Sequence, residues 1–202
     1  MITVRRYAPG TSVPVLLNGN EVAQGSSEII NYLEQKFPFR SLTPTDADER
    51  RACLVIEKAM DKRLGENIRQ VFYYGLLAYP EFISYCFTHS MPRVKQVIIS
   101  LLYPGLRHIL YKTYVISAAK VGQARREFDI AMGEIEKTLE RRQYLVGERF
   151  TRTDLSVASM LSLLVMPPEH PFPWREIPDP QTRSFFDEYR NHPVAEWAMR
   201  MN

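Results

Sequence analysis

Small and hydroxyl residues open a helical run early in the chain, at Gly25-Ser26-Ser27-Glu28. Ile29, Ile30, Leu33 and Phe37 then recur at helical spacing, and Pro38 ends the run. A carboxylate at such an N-terminus meets free backbone N–H groups and the positive end of the helix dipole. Other reactive types carry less. Cys53 and Cys86 sit in apolar stretches, the setting of inert buried thiols rather than nucleophiles. His89, His108, His170 and His192 show no metal-ligand spacing, so no metal is expected. No Ser/His/Asp arrangement can be read from spacing. Asp154 has the type of a catalytic acid but the position of a cap: Thr151 and Asp154 form a variant capping box, with Phe150 and Leu155 as its hydrophobic staple.

Three sets of elements must position these residues. Ahead of Ser26, Val13–Leu17 and Asn20–Ala23 are apolar runs around Asn18-Gly19, a hairpin signal of type I′. Pro14 cannot donate to the ladder and marks an edge, a bulge or a cis bond. Two strands and one helix are marginal alone, so they need a larger body. Phe39–Thr45 reads as a linker and domain boundary. Beyond it the pattern is helical: 46–78 carries Ile56, Met60, Leu64, Ile68, Val71 and Phe72 on one side. Short helices fill 80–116, interrupted by Pro92 and Pro104-Gly105. Ser117–Arg142 is amphipathic, with Val121, Ala124, Phe128, Ala131, Ile135 and Leu139 facing in. The helix capped by Thr151 runs to Val165, is apolar nearly all round, and belongs at the centre of the bundle. A proline-rich run (Pro167–Pro180) and two short helices, Thr182–Arg190 and Val194–Met201, complete an α+β, mostly α chain.

Composition excludes several classes. A net charge of +3, with basic and acidic residues interspersed, does not argue for nucleic acid. Two cysteines without CxxC spacing fit a reduced compartment, and Met1–Arg6 opens no signal peptide, so a cytoplasmic location is expected. The most membrane-like stretch, Gln96–Leu106, is far short of the ~20 residues that a spanning helix needs.

The segments VPVLLNGNEVAQGSSEIINYLE and YLVGERFTRTDLSVA, in that order, resemble the glutathione S-transferase family over about Val13 to Trp197. Pro-Pro-Glu-His-Pro-Phe-Pro and His-Pro-Val-Ala-Glu-Trp look like a bacterial branch of it. The resemblance implies an incomplete thioredoxin-like domain (1–40) followed by an all-helical domain (46–202), and a homodimer active in detoxification. Glutathione is the implied co-substrate, its thiolate passing to a hydrophobic electrophile or a disulfide. Pro14 matches the family's cis-proline, with the Val13 backbone pairing the cysteinyl part. Ser26 matches the serine that takes the γ-glutamyl carboxylate. Gly25 replaces a residue that is usually acidic or Gln. Tyr73 and Tyr74, with Arg63 on the same helix, fall where the family lines its hydrophobic substrate site. The family places a strand–helix–strand before this hairpin, bearing the catalytic Tyr, Ser or Cys. The chain opens almost at the hairpin, so a truncated start and an unassigned catalytic residue are the expectation. Tyr7 is a poor substitute, because no helix or second strand separates it from Val13. A non-catalytic interaction protein on the same scaffold is the rival, and peripheral membrane attachment through 94–116 a third reading.

Overall fold

A computed structural model describes residues 4–10, 12–114, 116–168 and 175–201. Strands β1 (Val15–Asn18) and β2 (Glu21–Gln24) pair antiparallel, Asn18 opposite Glu21. The turn is therefore Gly19-Asn20, one residue later than the expected Asn18-Gly19. Only Gly19 takes a positive φ, 59°, the pattern of a II′ turn rather than I′. Helix α1 (Ser26–Lys36) follows at once and packs on β2. Its expected stripe is only partly covered: Ile29 and Ile30 are half-buried, while Leu33 and Phe37 are exposed. Two strands offer too little surface to hide a whole helix face.

Residues 39–45, expected as a linker, are pinned between α1 and the bundle. The Glu34 carboxylate accepts from the Leu42 and Thr43 N–H groups at 2.9 and 2.8 Å, and from the Thr43 hydroxyl. The Arg152 N–H donates to the Leu42 carbonyl at 3.2 Å.

Helix α2 (Ala47–Met60) is capped by Asp46, which accepts from the Asp48 and Glu49 N–H groups. It continues through one wide π segment, Asp61–Glu66, into α3 (Asn67–Leu76). The Asn67 side-chain amide donates to the Arg63 carbonyl at 2.8 Å, giving that loosened turn a partner. The expected rod with Met60, Leu64, Ile68 and Val71 inward is present, with this irregularity in its middle. Short helices α4 (Pro80–Thr88), α5 (Arg93–Leu101) and α6 (Tyr103–Tyr114) precede the long α7 (Ala118–Leu139). Helix α7 is capped by Ser117 and buries Val121, Ala124, Phe128, Ala131 and Ile135 as expected, with Leu139 half-buried.

Helix α8 (Arg152–Val165) contacts α2, the π segment, α9 (Pro180–Arg190) and α10 (Pro193–Met201), so it is central. Leu161, Leu164 and Val157 are fully buried in it. It is not apolar all round, however. Its first turn buries Arg152, Thr153 and Asp154. Helices α3 and α9 meet at Gly75, where a Cβ would lie 1.9 Å from the Thr182 hydroxyl oxygen, so only glycine permits this approach. Ile2, His170 and much of the Pro167–Pro180 run lie outside the described residues.

Candidate functional site

The start of α1 is built by Gly25. Its φ of 97° suits glycine, and its N–H donates to the Pro14 carbonyl at 2.9 Å. That bond draws the Val13-Pro14 segment, whose peptide is cis, up to the helix N-terminus. Val13, Pro14, Gly25 and Ser26 thus come together. No side chain caps α1, so its first-turn N–H groups are offered at an exposed Ser26. Anions are favoured there by these donors and the dipole together.

A cleft of about 250 Å³ opens between this N-terminus and α2, with Ser26, Asn31, Lys58, Asp61 and Met160 among its walls. Its floor holds a buried charge pair that sequence reasoning missed. Arg152 is paired with Glu57 at 2.5 Å, their side chains 2% and 7% exposed. The guanidinium also donates to the Asn31 side-chain oxygen at 2.7 Å and to the Ser27 carbonyl at 3.4 Å. The Ser27 hydroxyl donates to Glu57 at 2.7 Å. The pair therefore fastens the first two turns of α1 to both α2 and α8, and each charge has several partners, which offsets its desolvation. The signal was present: Cys53, Glu57, Met60 and Leu64 share one face of the 46–78 helix, so Glu57 is a charge on the inward stripe. Ser26 and Ser27 also separate here, Ser26 facing out and Ser27 bonded inward.

Directly behind Arg152, the Asp154 carboxylate accepts from the Thr151 N–H and hydroxyl at 2.8 and 2.7 Å, and from the Leu145 N–H at 2.8 Å. The capping box is formed, and its strong arm is the carboxylate. Asp154 is fully buried and structural in these contacts.

The remaining candidates lie elsewhere. Arg63 makes a two-pronged pair with Glu134 at 2.5 and 3.0 Å, beside a groove of about 720 Å³ between α2–α3 and α7. Tyr73 packs edge-on against Phe72 at the core, and Tyr74 is partly exposed. None of the three lines the Ser26 cleft. Cys53 is wholly buried beside the Thr153 hydroxyl. Burial pushes the Cys86 thiol up to about 11. Cys53 is thus shut off from solvent, and Cys86 holds little thiolate at neutral pH. Tyr7 is half exposed on a turn after a short 3₁₀ segment. Among the described residues no cluster of metal-binding side chains occurs.

A thioredoxin-like hairpin and helix followed by this helical bundle match the fold of bacterial glutathione S-transferases. The chain is similar to a glutathione S-transferase from Methylobacterium radiotolerans, solved in complex with glutathione sulfonate, at TM-score 0.53 and 22% identity over 98% of this chain and 76% of that one. It is similar to a glutathione S-transferase from Rhodospirillum rubrum at TM-score 0.55 and 18% identity, over 98% and 74% of the two chains. The beta-etherase LigF from Sphingobium sp. strain SYK-6 gives TM-score 0.57 and 18% identity, over 98% and 82%. No family model and no curated protein matches the sequence.

Proposed function

We propose that the chain is a glutathione S-transferase-like protein that holds reduced glutathione at the start of α1. The observation that carries this is the bond from the Gly25 N–H to the Pro14 carbonyl, which joins the Val13-Pro14 backbone to the uncapped, exposed Ser26. The γ-glutamyl carboxylate takes the Ser26 hydroxyl and the first-turn N–H groups. Lys58 and Asp61, on the opposite wall, offer the carboxylate a cation and the ammonium an anion. Asp61 so replaces the side chain that Gly25 lacks. The exposed Val13 backbone meets the cysteinyl amide.

Bound glutathione supplies a thiol whose anion attacks an electrophilic carbon, or a disulfide sulfur, with expulsion of the leaving group. A free thiol of pKa ~8.5 is only a few per cent ionised at neutral pH. Lowering that pKa by about two units needs ~2.7 kcal/mol of thiolate stabilisation, roughly one well-placed donor. Ser26 is occupied by the carboxylate end, and Ser27 is committed to Glu57. Conjugation is therefore slow. A homodimer clearing hydrophobic electrophiles in the cytoplasm is the setting this reading implies.

Following 1-chloro-2,4-dinitrobenzene conjugation tests it. The expected result is a rate that saturates with glutathione yet stays close to the uncatalysed one. Fast conjugation lost in Tyr7→Phe would instead make Tyr7 the activating donor. No saturation with glutathione would leave only the interaction-protein reading.

A further inference from the structure

Between Glu81 and Glu127 the sequence contains no Asp or Glu, although it carries Arg93, Lys95, Arg107 and Lys112 before the cations of α7. The whole chain has a net charge of only +3, so this acid-free segment is far more basic than the rest. It includes α5 and α6, which the bundle covers on one side alone. The Tyr103 hydroxyl anchors the pair by donating to the Leu77 carbonyl at 2.8 Å, and Leu110 and Tyr111 pack on the core.

The other side of α5 is an apolar stripe turned to solvent. Val94, Val97, Ile98 and Leu101 follow i, i+3, i+4, i+7 spacing and are 72%, 59%, 49% and 76% exposed. Leu102, at the corner into α6, extends the stripe at 64%. The back of the helix, at Gln96 and Ile99, is half-buried. An amphipathic helix with its apolar face outward reverses the usual arrangement and marks an interaction surface. At about 100° per residue, Arg93 and Lys95 lie roughly 100° to either side of Val94. Both long cations so flank the stripe, where their heads extend past its edges while their stems lie along it.

We propose that α5 and the α5–α6 corner seat this protein on an anionic lipid bilayer. Val94, Val97, Ile98, Leu101 and Leu102 enter the boundary between headgroups and acyl chains, and Arg93 and Lys95 meet lipid phosphates and carboxylates. Basic flanks beside an apolar stripe, with no acid in the segment, complement a negative lipid surface. Attachment is peripheral, since among the described residues no helix is long and apolar enough to cross a membrane. The inference does not depend on glutathione binding.

Flotation with phosphatidylcholine vesicles, with and without a third phosphatidylserine, tests it on the full chain. The protein should float with the anionic vesicles only, and less as salt rises. At ~1 kcal/mol per surface cation, Arg93→Gln with Lys95→Gln should weaken binding roughly 25-fold. Val97→Ser with Leu101→Ser should abolish it even at low salt without lowering the melting temperature, because both side chains already face solvent. Failure of the wild type to float, equal flotation with neutral vesicles, or insensitivity to both pairs of substitutions would overturn the proposal. So would a solution dimer that Leu101→Ser dissociates, since a second copy would then cover this face.

Discussion

Glu57→Ala is the most revealing perturbation of the fold. It removes the partner of Arg152, a guanidinium only 2% exposed. What remains is one good acceptor, the Asn31 oxygen at 2.7 Å, and long contacts to the Ser27 carbonyl and the Thr43 hydroxyl, each at 3.4 Å. The Ser27 hydroxyl loses its acceptor in the same step. Leaving a buried charge without its partner costs about 3–5 kcal/mol, a large share of the ~5–15 kcal/mol that holds a domain folded. Removing both charges is milder: Arg152→Met with Glu57→Leu should cost less than either single change, so the pair couples strongly in a double-mutant cycle. The loss should also be local first. Because Arg152 and Glu57 join α1 to α2 and α8, amide exchange in 26–36 should accelerate more than in α7 or α8. Urea melts followed by circular dichroism, with hydrogen exchange on the same variants, read both effects. A Glu57→Ala cost below about 1 kcal/mol, with unchanged exchange in α1, would refute the reasoning, since the low end of the expected range is three times that.

Five further outcomes follow from the same geometry. Asp154→Ala should cost about 1–3 kcal/mol in a urea melt, because the buried Leu145 and Thr151 N–H groups lose their acceptor. Thr151→Ala should cost about 1 kcal/mol. Leu161→Ala should cost roughly 2–5 kcal/mol through the cavity left at a fully buried site, with Leu155→Ala smaller because Leu155 is only half-buried. Cys86, raised to about 11 from 9.0, has ~100-fold less thiolate at pH 8 than an ordinary cysteine. Higher intrinsic nucleophilicity recovers roughly tenfold, so iodoacetamide should alkylate Cys86 about ten times more slowly than a free cysteine. Burial raises the Glu34 carboxyl, but hydrogen bonds from Thr43, Leu42 and Ser41 outweigh it, so its pKa ends below the ordinary value. A depressed folded pKa means stability present above the unfolded value and lost as pH falls through the folded one. Acidification below about 4.5 should therefore loosen 39–45, and Glu34→Gln should remove that part of the pH dependence, read by melting temperature against pH.

Helical periodicity made most of the bundle legible. The inward residues of α7 and of the α2–α3 rod follow a 3.6-residue repeat that depends on nothing distant. The capping box at Thr151 and Asp154 is equally local, and both of its residues are where the sequence places them. Gly25, Ser26 and Val13-Pro14 could be brought together only through the family resemblance, since periodicity says nothing about how a strand approaches a helix. The hairpin turn slipped by one residue because Asn18, Gly19 and Asn20 all tolerate turn geometry, and pairing decided among them. Arg152 and Glu57 were out of reach for another reason. They are 95 positions apart, and although Glu57 falls on the inward stripe of its helix, nothing local names Arg152 as its partner. Arg63 was grouped with Tyr73 and Tyr74 by resemblance, and its pairing with Glu134, 71 positions on, was equally out of reach.

Titration calorimetry with reduced glutathione, on the wild type and on Ser26→Ala, tests the central claim most directly. The wild type should bind saturably. Ser26→Ala should lose about 1.5–3 kcal/mol, some 10- to 150-fold in affinity, because a charge-assisted hydrogen bond to the γ-glutamyl carboxylate disappears. Equal affinity in the two proteins would contradict the placement of that carboxylate at the start of α1, and no binding by the wild type would contradict the glutathione reading itself.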